Sequence, residues 1–335
     1  MSQIRNLITD VPGLRVGNAY DAKLGSGVTV VLFHEPAVTS CAVLGGAPAT
    51  RETDLLEPDK LVPGIHAVVL SGGSAFGLDA ASGVQAHLRQ HGIGFPVGSA
   101  IVPLVSQAAV FDLTNGGDKD WGLYPPYREM GYEAARKAAA HFELGTIGGG
   151  FGATTVDLKG GLGSASVKTS TGHTVGAIVV VNSISSAVID GGPHFWAASF
   201  EDGDEFGGLG HPTRSPPAQR ELLWKGGRQP STTIALIATD AMLTKAQAKR
   251  LAISSHGGFA RALRFAHALY DGDTIFAAST GRRTLQNEAA EFTEITALAA
   301  DCVARAIARG VYEATALPYP GALPAWRDRF RGRVK

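Results

Sequence analysis

A layered α/β fold with a mixed sheet is predicted by three features of the 335-residue sequence. Short Val-rich apolar runs bounded by Gly or Pro recur along it, the pattern of buried strands. Helical runs lie among them, but without the strict alternation that a doubly wound parallel sheet demands. Finally, the 43 glycines imply many tight turns between short strands, because each glycine is an entropic cost unless the backbone needs its freedom.

The first strands are expected at Gly27–Phe33, Ala37–Leu44 and His66–Ser71. Helical spacing follows over Phe76–Gln90, and a second helix is expected from Tyr127 to Phe142, where strong helix formers follow Pro125 and Pro126. The Gly-dense stretch Gly145–Gly163 reads as turns. Strands resume at Ser164–Thr169 and His173–Asn182, joined as a hairpin through Ser170, Thr171 and Gly172. The second of these is apolar enough to be covered on both faces. Between Phe200 and Ser231 charges, Gly and Pro occur without sustained periodicity, which reads as an exposed, mobile segment. Thr232–Thr239 is again a buried strand. Thr244 and Gln247 offer a capping box for a helix to about Ser254. A helix over Gly258–Leu269, a strand over Thr274–Ala278 and a long helix over Glu291–Arg309 complete the pattern.

Composition narrows the function. Hydrophobic residues make up 44% of the chain, enough for a substantial core in a single domain spanning residues 1–335. Lys+Arg and Asp+Glu number 30 each, so no net charge draws the protein to nucleic acid or an anionic membrane. A small, near-neutral ligand fits best. Cys41 and Cys302 are too few for a disulfide framework and are expected as buried thiols. The ten histidines fall into no metal-ligand spacing, so neither metal nor cofactor is expected, and His34, His256 and His267 read as ordinary polar or core residues. No apolar run has the length of a signal peptide or a membrane span, so a cytoplasmic protein is expected.

The chemistry is expected at the junction of Ser231 and Thr232, where an irregular segment runs straight into a buried strand. Scission there would free the α-amine of Thr232, whose ordinary pKa of about 7.7–8.0 suits it to take the proton of its own hydroxyl. The same Thr232 and Thr233 also read as β-formers at a strand start. Asp271 and Asp273, two residues apart in a loop, suit the orientation of an ammonium group or a solvated turn. Asn182, ending the most apolar strand, suits donation to a developing oxyanion, worth about 3–4 kcal/mol in such sites, or a simple cap. A rival nucleophile is Ser74, in a strand, sharp turn and helix; the hydrolase elbow wants Gly two residues later, where Phe76 stands. The small residues of that turn, Ser71, Gly72, Gly73 and Ser74, are expected to line a pocket for an extended, flexible amide.

Several stretches together resemble one family, the DmpA-type aminopeptidases, which include β-aminopeptidases and the nylon-oligomer (6-aminohexanoate oligomer) hydrolases. They are VPGLRVGNA near the start, LGGAPATRETDLLEP at Leu44–Pro58, HAVVLSGGSAFGLDAASGV at His66–Val84, KGGLGSAS at Lys159–Ser166, VGAIVVVNS at Val175–Ser183, TTIALIATDAMLTKAQAKRLA at Thr232–Ala252, and DGDTIFAAST at Asp271–Thr280. The resemblance implies an αββα four-layer sandwich with mixed sheets, and autocleavage of a precursor into fragments 1–231 and 232–335. It implies a tetramer of processed protomers acting on a small amide or peptide. Thr232 falls on the family's nucleophile, and Thr in place of Ser is similar to the nylon-hydrolase branch. Asn182 falls on the oxyanion residue, and Asp271 and Asp273 fall on that branch's acidic pair. Phe111 falls where that branch has a tyrosine, and its catalytic lysine has no unambiguous counterpart, Lys159 being the nearest candidate, offset in the motif. Ser231 replaces the Asn or Gly usual before the cut, which implies slower maturation. A self-cleaving acyltransferase is the alternative of a different class.

Overall fold

The computed structural model describes residues 4–213, 222–225 and 230–332. Its strands are β1 (Leu14–Asp21), β2 (Ser26–Val43), β3 (Thr50–Arg51), β4 (Ile65–Ser71), β5 (Phe95–Val97), β6 (Ala100–Val102), β7 (Val105–Ala109), β8 (Gly161–Lys168), β9 (Thr174–Asn182), β10 (Thr232–Ala241) and β11 (Thr274–Arg283). The helices are α1 (Ser74–Gly77), α2 (Ala80–Gln90), α3 (Tyr127–Arg136), α4 (Lys245–Ser255), α5 (Gly257–Ala262), α6 (Glu288–Tyr312) and α7 (Trp326–Arg329). The expected irregular segment falls partly outside the described residues, at 214–221 and 226–229.

Strands β3, β7, β4, β2, β11, β10, β9 and β8 are hydrogen-bonded in that order, with β1 also on β2. The β4–β7 and β10–β11 pairs are parallel and the others along this path antiparallel, so the sheet is mixed as expected. The 18-residue β2 divides the ladder into two packed sheets: its first half pairs with β1 and β4, and its last residues pair with β11.

Side-chain alternation then builds four layers. Ile178, Val180, Ile234 and Leu236 face Val31, Val68 and Leu70 in a core between the sheets. The alternate residues of β9 and β10, Val179, Val181, Ala235 and Ile237, face α4, α5 and α6. Val28, Val30, Ala67 and Val69, on the outer face of the other sheet, pack on α2 and α3. The result is the αββα sandwich, and it explains why β9 and β10 read as continuous apolar runs: both their faces are buried.

Several boundaries differ from expectation for identifiable reasons. The two strands expected on either side of Pro36 are one, with a register irregularity between Leu32 and Ala37 where proline has no N–H to give. The helix expected to reach Phe142 stops at Arg136 because Ala139 leaves it to exchange two backbone hydrogen bonds with Val16 of β1. The helix expected to reach Leu269 stops at Ala262, and Asp273 captures the backbone N–H and ring of His267 beyond it. The capping box is present: Thr244 Oγ1 accepts from the Gln247 N–H, and Gln247 Oε1 accepts from the Thr244 N–H. Cys41 and Cys302 are free, buried thiols. Among the described residues no helix is long and apolar enough to cross a membrane.

Candidate active site

The site forms where β10 begins. Thr232 is the register partner of Asn182, the last residue of β9. Directly opposed residues of an antiparallel pair project from the same face. That face is the one packed between the sheets, since Ile234 and Ile178 follow the same alternation. Both residues are buried, at 3% and 1% exposure.

The peptide before Thr232 is held from the other side by the loop entering β11. The Ser231 N–H donates to the Tyr270 carbonyl (2.9 Å), and the Ser231 carbonyl accepts from the Gly272 N–H (2.8 Å). The Thr232 hydroxyl donates to the same Ser231 carbonyl at 2.5 Å. One carbonyl oxygen therefore sits between a backbone donor and the hydroxyl of the next residue. Only glycine fits at 272: a Cβ there would lie 2.7 Å from Thr232 Oγ1 and 2.8 Å from the Ala47 carbonyl oxygen.

The acidic pair flanks this peptide and its two members differ. Both oxygens of Asp273 are partnered, with Oδ1 accepting from the Thr233 N–H (2.8 Å) and Oδ2 from the backbone N–H (2.8 Å) and Nδ1 (2.9 Å) of His267. Asp271 accepts from the Ala268 N–H through Oδ2, while its buried Oδ1 has no partner among the described residues. Burial, and then the charge of Asp273, push the Asp271 carboxyl up to about 7. A buried carboxylate oxygen without a donor is costly unless protonated or matched by a cation.

Asn182 is gripped at both ends. Its Oδ1 accepts from the Thr154 N–H (3.0 Å) and Lys225 Nζ (3.2 Å), and its Nδ2 donates to the Phe111 carbonyl (2.9 Å). It borders a cavity of about 540 Å³ lined also by Phe111, Asp112, Lys159, Trp224 and Lys225. Lys159 is 1% exposed and donates to the carbonyls of Gly150 (3.0 Å), Ala153 (2.8 Å) and Gly160 (2.9 Å). Burial draws its ammonium down to about 7, and the charge of Lys225 acts in the same direction.

The structure thus brings Asn182, Phe111 and Lys159 to one cavity, with Thr232 beside it as the neighbour of Asn182 and with Asp271 and Asp273 behind the Ser231 peptide. Ser71, Gly72, Gly73 and Ser74 are not among the residues that line this cavity. Packing accounts for their small size. A Cβ on Gly72 would meet Asp112 Oδ2 at 2.1 Å, and one on Gly73 would meet the Tyr127 ring at 2.2 Å. The Ser71 hydroxyl, fully buried, accepts from Gln107 Nε2 (2.8 Å). Sequence reasoning missed Gly272, Thr154 and Lys225. The first stands inside the DGD motif, while the other two reach the site through backbone or long-range contacts that leave no local pattern.

The fold is similar to that of the Burkholderia sp. beta-aminopeptidase, with a TM-score of 0.70 at 21% identity over 98% of this chain and 92% of that one. It is also similar to the L-aminopeptidase D-Ala-esterase/amidase from Ochrobactrum anthropi, described as a variant among the Ntn hydrolase fold, with a TM-score of 0.67 at 20% identity over 96% and 90% of the two chains. Residues 6–321 match Peptidase family S58, and the chain belongs to that family. It is 40% identical over 353 residues to an uncharacterized aminopeptidase of Mycobacterium tuberculosis (strain ATCC 25618 / H37Rv), covering 98% of both. It is 26% identical over 279 residues to a 6-aminohexanoate-oligomer endohydrolase of Kocuria sp. (strain KY2), covering 81% of this chain and 74% of that one. Family membership makes the chain a hydrolase of amides or peptides.

Proposed function

We propose that the chain cuts itself between Ser231 and Thr232 and then hydrolyses short peptides or linear amides with Thr232 as an N-terminal nucleophile. The observation that carries this reading is the Thr232 hydroxyl lying against the Ser231 carbonyl while the Gly272 N–H holds that carbonyl's oxygen. Attack of Oγ1 on the Ser231 carbonyl carbon places negative charge on an oxygen that already has a donor. Collapse breaks the C–N bond, leaving Ser231 as an ester on Oγ1 and Thr232 with a free α-amine. Water then hydrolyses the ester, giving a Ser231 carboxylate and restoring the hydroxyl.

In the mature site the α-amine takes the hydroxyl proton as Oγ1 attacks the substrate carbonyl, and passes it to the leaving amine. Asn182 donates to the oxyanion, and water releases the acyl group by the same route. The unpartnered Oδ1 of Asp271 suits the new ammonium, Asp273 fixes the strand through the Thr233 N–H, and Lys159 braces the turn from Gly150 to Gly160. Peptides come first as substrates because the relatives at 40% identity carry the aminopeptidase name. The 26% identity to nylon-oligomer endohydrolases supports a second reading, in which long methylene spacers are tolerated. Comparing an alanyl peptide with a 6-aminohexanoate oligomer separates the two.

The test is intact mass before and after Thr232→Ala. Wild type should yield chains of 231 and 335 − 231 = 104 residues, the smaller beginning at Thr232. The variant should stay whole and inactive; a processed or active Thr232→Ala protein overturns the assignment.

A further inference from the structure

We propose that Lys225 is a positioning residue for Asn182, locking its carboxamide so that one Nδ2–H is left free for the carbonyl under attack. The inference rests on the Thr232 reading above and adds to it a residue on the segment just upstream of the cut.

A side-chain amide has two hydrogens on nitrogen and an oxygen with two lone pairs. In Asn182 the oxygen receives two donors, the Thr154 N–H and the Lys225 ammonium, while the nitrogen gives one hydrogen to the Phe111 carbonyl. Turning the amide over would set its NH2 against an N–H and an ammonium, and its oxygen against a carbonyl. Only one orientation is compatible with all three neighbours. It leaves the second Nδ2 hydrogen without a partner among the described hydrogen bonds, on the side chain paired in register with Thr232.

Lys225 supplies more than geometry. A charged donor on the amide oxygen draws electron density from the nitrogen and makes its remaining N–H a stronger donor. The lysine is itself well fixed: its backbone N–H donates to the Ile184 carbonyl (3.0 Å), and Nζ donates to the Thr154 carbonyl (2.7 Å) and reaches the Asn182 carbonyl at 3.4 Å. Although the side chain is only partly buried overall, its ammonium is enclosed by these acceptors. Burial draws the Lys225 ammonium down to about 7, Asp271 acts the other way and favours its charge, and that charge in turn lowers Lys159. Lys159 cannot take over the task, since its ammonium is already committed to three carbonyls.

The test uses the full-length chain allowed to mature, with Lys225→Met, Lys225→Arg, Asn182→Ala and the Asn182→Ala/Lys225→Met pair, assayed on L-alanine p-nitroanilide and on the amide the wild type turns over best. Lys225→Met should still divide into two fragments by mass, lose at least about tenfold in kcat, and change KM by less than about threefold. Lys225→Arg, which keeps the charge, should restore most of kcat. The double variant should be no slower than Asn182→Ala alone, because the lysine acts through the amide. A wild-type kcat in Lys225→Met, or a loss that adds fully to that of Asn182→Ala, overturns the proposal. A Lys225→Met chain that stays whole also overturns it and moves the lysine to maturation. Active wild type found uncut would instead remove the Thr232 reading, whereas cut wild type beside a fully active Lys225→Met removes only this inference.

Discussion

Asp271 is at odds with its surroundings, a buried carboxyl with one oxygen unpartnered among the described residues. Burial chiefly, and Asp273 next, raise its carboxyl to about 7, against the Ala268 N–H and the charges of Lys225 and His267. A carboxyl whose folded pKa stands above its unfolded one binds its proton more tightly in the folded state, so stability falls as pH rises between the two values. The window therefore runs from the ordinary carboxylate value near about 4 up to about 7, and the penalty stays constant above it. Asp271→Asn in a Thr232→Ala background, where no amine is released, should raise the urea midpoint at about pH 8 and leave it nearly unchanged at about pH 4. Equal midpoints at the higher pH would mean that Oδ1 is satisfied after all. On the proposed cleavage the new ammonium favours the carboxylate, so a group that weakens the precursor at neutral pH stabilises the mature site.

Among the elements, α6 is held to β8 by backbone against backbone. A Cβ on Gly163 would stand 1.8 Å from the Ala306 carbonyl oxygen and 2.6 Å from the Gly310 N–H nitrogen. Gly163→Ala must lift the 25-residue helix from the strand, and overpacking of this kind costs about 1–3 kcal/mol or more. Calorimetry should show a Tm lowered by several degrees, at roughly 2–4 °C per kcal/mol; an unchanged Tm would mean that the helix can shift freely. Elements such as β9, β10 and α4 were legible because burial on both faces or a capping box leaves a local mark in sequence. By contrast β1, with its mixed Leu14–Asp21 pattern, and β7, five residues long, become strands only through the neighbours they pair with. The site divides the same way. Thr232, Asn182, Asp271 and Asp273 lie at ends of readable strands. Lys225 lies in a stretch without periodicity, and only the fold brings it to Asn182.

At the scale of the molecule, the proposed cut falls where its two products are most interwoven. β10, which would carry the new N-terminus, pairs with β9 of the 1–231 fragment from Thr232↔Asn182 to Thr239↔Val175. Its other edge pairs with β11, which in turn lies antiparallel to β2 of the larger fragment. The core under α6 mixes Val179 and Val181 from one fragment with Ile237, Val303 and Ile307 from the other. Breaking one peptide bond removes none of these contacts, whereas separation would bare the edges of β2 and β9 and both faces of a buried sheet, a burial that dominates folding free energy. Mature protein should therefore run as two polypeptides in denaturing gels yet elute from gel filtration as a single species with the fragments in equal amounts. They should part only across the cooperative urea transition, and fragment 232–335 produced alone should show no cooperative unfolding of its own. Fragments that separate in native buffer, with either one keeping a sharp transition, would mean that the chain is two folding units joined at Ser231 instead of one.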